Sequence, residues 1–138
     1  MTAAAAPVAT EGPLWLGARR HSNNTGEFSA VAWALAWSLQ LGTAKPVTIL
    51  PDSTLAVNMA AARWNPNCTI ELVHTMSMLA QSVEARGELR WRHIRAHSHH
   101  PWNDAMDRLA EVSTRGTCHV GFNRNVSRVP RAVDWLWL

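Results

Sequence analysis

The sequence has no tyrosine, a single lysine and only two cysteines, and each scarcity narrows the class of protein. Two cysteines, Cys68 and Cys118, cannot form the disulfide framework of a small secreted domain, so we expect an intracellular protein of the cytoplasm or nucleus. No apolar run reaches the ~18 residues of a membrane helix, and we expect no membrane partner. The amino-terminal residues 1–12 lack the positively charged residues and the long apolar stretch of a secretory signal, which predicts a disordered leader.

Arginine, by contrast, is abundant: it accounts for twelve of the thirteen basic residues in a chain of net charge +3. Four arginines fall within ten positions around one predicted strand, namely Arg86, Arg90, Arg92 and Arg95. Because guanidinium groups bind phosphate in a bidentate manner, this cluster is typical of a nucleic-acid contact. A solvated strand face explains the cluster equally well, so the charge pattern alone does not establish a partner.

The spacing of apolar residues predicts strands and helices in alternation. Strands are expected over 13–20, 46–50 and 88–96, and helices over 26–41, 54–63, 71–85 and 101–115. This order is typical of an α/β domain, over 13–116, with a mainly parallel sheet in its second half. Beyond Gly116 the periodicity ends, and 117–138 are expected to form a loop or tail.

Three carboxylates occupy informative places in this pattern. Glu27 is expected in the first turn of the first helix, Asp52 directly after a buried strand, and Asp107 in the first turns of the last helix. Hydrolysis of a phosphodiester by two Mg²⁺ ions about 4 Å apart needs oxygen ligands that converge from separate elements. Taken singly, each acid has an ordinary explanation as a helix charge partner, a helix cap or a surface residue.

Three segments together carry a family resemblance: NNTGE at Asn23–Glu27, ILPDS at Ile49–Ser53 and AHSHHPWNDAMD at Ala96–Asp107. In order and spacing they resemble the motifs of type 1 ribonuclease H, which cuts the RNA strand of an RNA–DNA hybrid. The resemblance covers about 13–116, and the short form is similar to the ribonuclease H domains of retroelement reverse transcriptases. It implies a ribonuclease H-like mixed sheet flanked by helices.

The resemblance also implies roles for individual residues. Glu27, Asp52 and Asp107 match the ligands of two Mg²⁺ ions, or of Mn²⁺, and we expect their carboxylates to lie roughly 4–8 Å apart. His97 matches a mobile histidine that assists water attack or product release. The residues expected to contact the hybrid, some of them in its minor groove, are Asn23, Asn24, Ser53, Arg95 and Asn103.

The chain departs from the family pattern at several positions. Pro51 stands where a small or hydroxyl residue is usual, Gly26 replaces a larger apolar residue, and His99 replaces a glycine. The family's first strand carries an aspartate that bridges both metals, yet 13–20 already resembles the third strand. We therefore expect the first two strands to be missing, the isolated chain to be nearly inactive, and an upstream reverse-transcriptase segment to be a partner.

Two alternatives remain open. The first alternative is a chain without catalytic activity, which is either a module that binds the hybrid without cutting it or a degenerate retroelement fragment. A second alternative is a transition-metal site, because imidazole suits zinc or nickel and four histidines cluster in the sequence, namely His93, His97, His99 and His100.

Overall fold

The computed structural model describes residues 8–42, 45–67, 69–95 and 100–114, without the side chains of 112–114. Its helices are α1 (Asn23–Gln40), α2 (Thr54–Ala60), α3 (Ile70–Glu84) and α4 (Pro101–Thr114), and its strands are β1 (Val47–Ile49) and β2 (Leu89–Trp91). The chain divides into two compact units, which are the sheet unit (Val8–His93) and the terminal unit (Met1–Pro7 with Ile94–Leu138). No helix in the described ranges is long and apolar enough to cross a membrane. The expected tail over 117–138 lies outside the described residues.

The sheet unit contains a parallel pair of strands, which agrees with the mainly parallel sheet predicted for the second half of the domain. Val47 lies opposite Leu89, and Ile49 lies opposite Trp91. The ladder extends by one bond at each end: Val47 N–H donates to the Glu88 carbonyl at 2.8 Å, and Arg92 N–H donates to the Ile49 carbonyl at 3.0 Å. Helices around a small parallel sheet confirm the α/β class, although the described sheet is parallel and not mixed.

Both strands are shorter than the predicted 46–50 and 88–96. A strand persists only as far as a neighbour completes its hydrogen bonds, and in the described part of the chain each strand has one neighbour. The short sheet agrees with the prediction that the first two strands of the family pattern are missing.

The predicted strand over 13–20 is wrong. The segment is irregular, and it begins with a turn in which Trp15 N–H donates to the Gly12 carbonyl at 3.1 Å. Gly17 has a φ of +112°, which a strand does not tolerate, and it lies directly against the backbone of α3 at Leu72. The segment therefore packs on a helix instead of pairing with a strand.

Helix α1 begins three residues earlier than predicted because Ser22 forms a capping box with Thr25. Ser22 Oγ accepts from the Thr25 N–H at 3.2 Å, and Thr25 Oγ1 accepts from the Ser22 N–H at 2.8 Å. Asn23 and Asn24 consequently lie in the first helical turn, and Glu27 lies in the second turn, not in the first as expected.

The core of the sheet unit lies between α1 and α3, with α2 and the inner face of the sheet packed beside it. Its largest fully buried side chains are Phe28, Leu35, Leu72 and Met76. On the sheet, Val47 and Ile49 pack against this core, whereas Thr48 is exposed. One face of the strands is therefore apolar and covered, as period-two alternation requires.

Glu71 and Arg19 join the 13–20 segment to α3 through an ion pair between Glu71 Oε1 and Arg19 Nη2. A hydrogen bond from its own backbone N–H, together with the Arg19 guanidinium, lowers the pKa of Glu71 below its ordinary value of 4.5. A carboxylate whose pKa is lowered by folding stabilises the protein above its unfolded pKa, and that contribution is lost as pH falls through the folded pKa. We expect Glu71→Gln to flatten the loss of stability below pH 4.5, measured by urea unfolding at stepped pH.

The matched control for Glu71 is Glu84→Gln, an exposed glutamate on the same helix that makes no ion pair with any described residue. It should not flatten the acid limb. Identical profiles for Glu71→Gln and the unsubstituted chain would show that the ion pair with Arg19 does not form in solution.

Candidate active site

The loop after β1 presents Asp52 at the carboxyl edge of the sheet. Ser53 is the N-cap of α2, and its Oγ accepts from the Ala56 N–H at 3.2 Å. The cap role therefore belongs to Ser53, so the interpretation of Asp52 as a helix cap is wrong. Asp52 is half-buried, one position ahead of the cap, with its carboxylate available for another function.

The loop after β2 meets the loop after β1 at the same edge. His93 Nε2 lies 3.1 Å from the backbone carbonyl oxygen of Asp52, a contact between residues 41 positions apart. Because a carbonyl oxygen only accepts, the imidazole donates through Nε2–H. Parallel α/β sheets place their functional sites at the carboxyl ends of the strands. Here the His93 side chain joins the carboxyl ends of β1 and β2.

Helix α1 ends beside the start of β1. Leu39 near the end of α1 and Val47 at the start of β1 line one crevice, so these two ends lie together. Glu27 precedes Leu39 by twelve residues, about 18 Å along a helix. Asp52 follows Val47 by five residues, about 16 Å along an extended chain. That Glu27 and Asp52 lie close to each other stays a prediction.

Glu27 is a polar residue at the end of an apolar row. It lies one turn before Val31, which is followed one turn later by Leu35, and both of these side chains are buried. Glu27 itself is half-buried. This position places Glu27 on the same side of α1 as the buried residues Val31 and Leu35.

Neither candidate carboxylate of the sheet unit has a partner among the described residues. Glu71 and Glu88 are each paired with an arginine, whereas no described side chain bonds to the carboxylate of Glu27 or Asp52. Unpaired, half-buried carboxylate oxygens are ligands of the chemistry that Mg²⁺ prefers, so the donor set fits this metal. Among the described residues, no group of three or more His, Cys, Asp and Glu side chains is placed to hold a metal ion.

The terminal unit contains the third predicted ligand. Asp107 lies in the second turn of α4, and the Asn103 Nδ2 amide donates to its Oδ2 at 3.4 Å. Asn103 is only 7% exposed, so its amide orients the carboxylate; its predicted contact with nucleic acid stays a prediction. His97 lies outside the described residues. Arg95 is described and exposed.

At the start of α1, Asn23 and Asn24 are both exposed, and neither side chain bonds to another described residue. The backbone N–H groups of a helix start carry partial positive charge, which favours phosphate nearby. The capping box leaves both amides free because Ser22 and Thr25 satisfy the helix start between themselves.

The transition-metal alternative receives no support from the described part of the chain. His93 uses Nε2 for the Asp52 carbonyl, and His97 and His99 lie outside the described residues. The contact of His93 was not anticipated from the sequence, where this histidine was grouped only with a possible metal cluster. Its position directly after a strand at the carboxyl edge was the available signal.

Comparison with known proteins supplies the family. The family model described as RNase H matches residues 3–115, a range that includes all three motif segments. No curated protein matches the chain. No solved structure matches it either. Because the matched range covers most of the sequence, the chain belongs to the ribonuclease H family, whose members are hydrolases that cut the RNA strand of RNA–DNA hybrids.

Proposed function

We propose that this chain supplies the hydrolytic site of an endoribonuclease that cuts the RNA strand of an RNA–DNA hybrid. The observation that carries the proposal is the pair of half-buried carboxylates of Glu27 and Asp52, which have no partner among the described residues. They lie in a chain matched over 3–115 by the ribonuclease H family. Asp107, oriented by Asn103, is proposed as the third ligand.

The proposed cofactor is a pair of Mg²⁺ ions, or Mn²⁺, held by Glu27, Asp52 and Asp107. When bound, such ions lower the pKa of a water and stabilise the leaving oxyanion. The protein residues keep their own tasks: Ser53 fixes the start of α2 directly behind Asp52, and Asn103 orients Asp107. His97 is proposed to assist the attacking water or the release of product.

The proposed substrate contacts follow the exposed polar groups around these acids. Asn23 and Asn24 project from the first turn of α1 and carry amides that suit 2′-hydroxyls and base edges. A-like hybrids present these groups in a wide, shallow minor groove. Ser53 and Arg95 are proposed to contact the backbone of the hybrid.

The proposed partner is an upstream segment that adds strands to the sheet and one aspartate to the site. Within the described residues β1 pairs only with β2, so its other edge has unpaired backbone groups. We expect the 138-residue chain to cut poorly with Mg²⁺, because three carboxylates hold the second ion weakly, and an extended chain to cut efficiently. The test is cleavage of an end-labelled hybrid by both chains, with double-stranded DNA as control substrate.

Binding without cleavage is the second candidate function, and the free amides of Asn23 and Asn24 favour it because they need no metal. Hybrid affinity that persists in EDTA, with no cleavage by either the 138-residue or the extended chain, would establish a binding module. Cleavage by the extended chain that requires Mg²⁺ would exclude it.

Asn24→Ala is expected to weaken hybrid binding several-fold while the stability of the chain is unchanged. A lost amide contact contributes about 1 kcal/mol, and the cap of α1 depends on Ser22 instead. The measurement is fluorescence anisotropy with a labelled hybrid and with B-form DNA across a salt series.

The matched control for Asn24 is Gln40→Ala, an exposed amide at the opposite end of the same helix. It should leave affinity unchanged. Equal affinity of the unsubstituted chain for hybrid and B-form DNA, with the same salt dependence, would indicate nonspecific arginine contacts and contradict the minor-groove assignment.

A further inference from the structure

We propose that His93 is a positioning residue for Asp52, and this inference rests on the proposed function. The imidazole donates Nε2–H to the Asp52 backbone carbonyl at 3.1 Å. His93 thereby acts on the peptide that carries the candidate ligand, while no described residue bonds to the carboxylate of Asp52.

The end of the strand ladder explains why a side chain is needed at this point. The last ladder bond runs from Arg92 N–H to the Ile49 carbonyl. The β1 chain then passes through Pro51, which has no N–H and cannot donate to a neighbouring chain. His93 follows Arg92 directly and supplies a side-chain bond to the loop beyond the proline.

Asp52 is consequently held from both sides. On its amino-terminal side Pro51 restricts φ, and on its carboxyl-terminal side Ser53 caps α2 through the Ala56 N–H. The bond from His93 adds the third restraint at the Asp52–Ser53 peptide. Partners that fix a ligand in place typically change metal affinity by about 10–100-fold when removed.

The contact also couples the two strand ends to each other. Asp52 follows β1, and His93 follows β2, so a shift of either loop moves the other. Because catalytic groups displaced by about 1 Å lose about a hundredfold in rate, a restraint between these loops has functional weight beyond that of a surface hydrogen bond.

The first arm of the test needs no metal. We would record the backbone amide resonance of Ser53 in the metal-free chain, because this N–H belongs to the peptide whose carbonyl His93 binds. His93→Ala should shift the Ser53 resonance, and His93→Gln, whose amide nitrogen can replace Nε2, should restore it. The control is His74→Ala, which changes an exposed histidine on α3 that makes no hydrogen bond or ion pair with a described residue. It should leave the Ser53 resonance unchanged.

The second arm measures Mn²⁺ affinity by calorimetry on the same folded variants. His93→Ala should weaken Mn²⁺ binding about tenfold, His93→Gln should retain it, and Asp52→Asn should lose most of it. An unchanged Ser53 resonance in His93→Ala would overturn the positioning role whatever the metal does. The positioning role would also be overturned if His93→Ala bound Mn²⁺ with unchanged affinity while Asp52→Asn had lost most of its Mn²⁺ affinity.

Failure of the proposed function has a different signature. In that case the unsubstituted chain binds no Mn²⁺, or Asp52→Asn binds it equally well. The Ser53 resonance then decides by itself whether His93 holds the Asp52 loop, because that readout involves neither metal nor substrate.

Discussion

Gly17→Ala is expected to lower the free energy of unfolding by about 3 kcal/mol, the largest stability effect that we predict for one methyl group. A Cβ at Gly17 would lie 2.4 Å from the Leu72 backbone nitrogen and 2.5 Å from the Glu71 carbonyl carbon. Both are backbone atoms of a packed helix and cannot move aside as a flexible side chain does. The φ of +112° adds strain that any residue with a Cβ would experience.

Gly26→Ala is the matched control because it adds the same methyl group where nothing lies within 4 Å. Gly26 is the fourth residue of α1, and alanine is favoured over glycine in a helix by up to about 1 kcal/mol, so this variant should be more stable. Urea unfolding followed by tryptophan fluorescence measures both. A Gly17→Ala midpoint equal to that of the unsubstituted chain would contradict the close packing of 13–20 on α3.

Asp52→Asn is expected to abolish cleavage of the RNA–DNA hybrid by the extended chain, the form that we expect to cut efficiently. The substitution keeps size and shape but removes the negative charge that a divalent ion requires. Since loss of an outer partner of a metal ligand already costs about 10–100-fold, loss of a ligand itself should exceed that range. Initial rates on end-labelled hybrid at saturating Mg²⁺ measure the effect.

The control for Asp52 is Glu84→Gln, which also removes one carboxylate charge but from an exposed position. Glu84 ends α3 beside Val83 and Arg86, two residues that line the crevice at the amino edge of the sheet, far from the loop after β1. Its cleavage rate should equal that of the unsubstituted chain. Equal cleavage by Asp52→Asn would remove Asp52 from the site and with it the two-metal proposal.

Much of the secondary structure follows from local signals. Ser22 and Ser53 cap α1 and α2, because a hydroxyl ahead of an apolar run satisfies free backbone N–H groups. Pro101 opens α4 as predicted, since its fixed φ suits a first helical position. The parallel pairing of β1 and β2 followed from the helices between them, because a parallel crossover needs such a connection.

The candidate site residues were likewise predicted from local features of the sequence. Short motif segments contain the candidate residues, and their spacing along the chain can be read without any three-dimensional distance. The family match over 3–115 covers all of them, namely Asn23, Glu27, Asp52 and Asp107. Spacing, however, does not include the state of each side chain. Glu27 and Asp52 have no partner among the described residues, whereas Asn103 is buried and bonded to Asp107. Both results depend on neighbours in space, which motif spacing does not specify.

The failures have one physical origin, which is the energy of contacts between distant parts of the chain. The weak alternation over 13–20 favoured a strand, but a strand needs a partner, and Gly17 instead packs on Leu72. His93 resembled a member of a histidine cluster until its bond to Asp52, 41 positions away, assigned it to the sheet edge. Caps, periodicity and motif spacing are local and can be read along the chain, whereas ladders, close approaches and side-chain partners exist only once the elements have packed together.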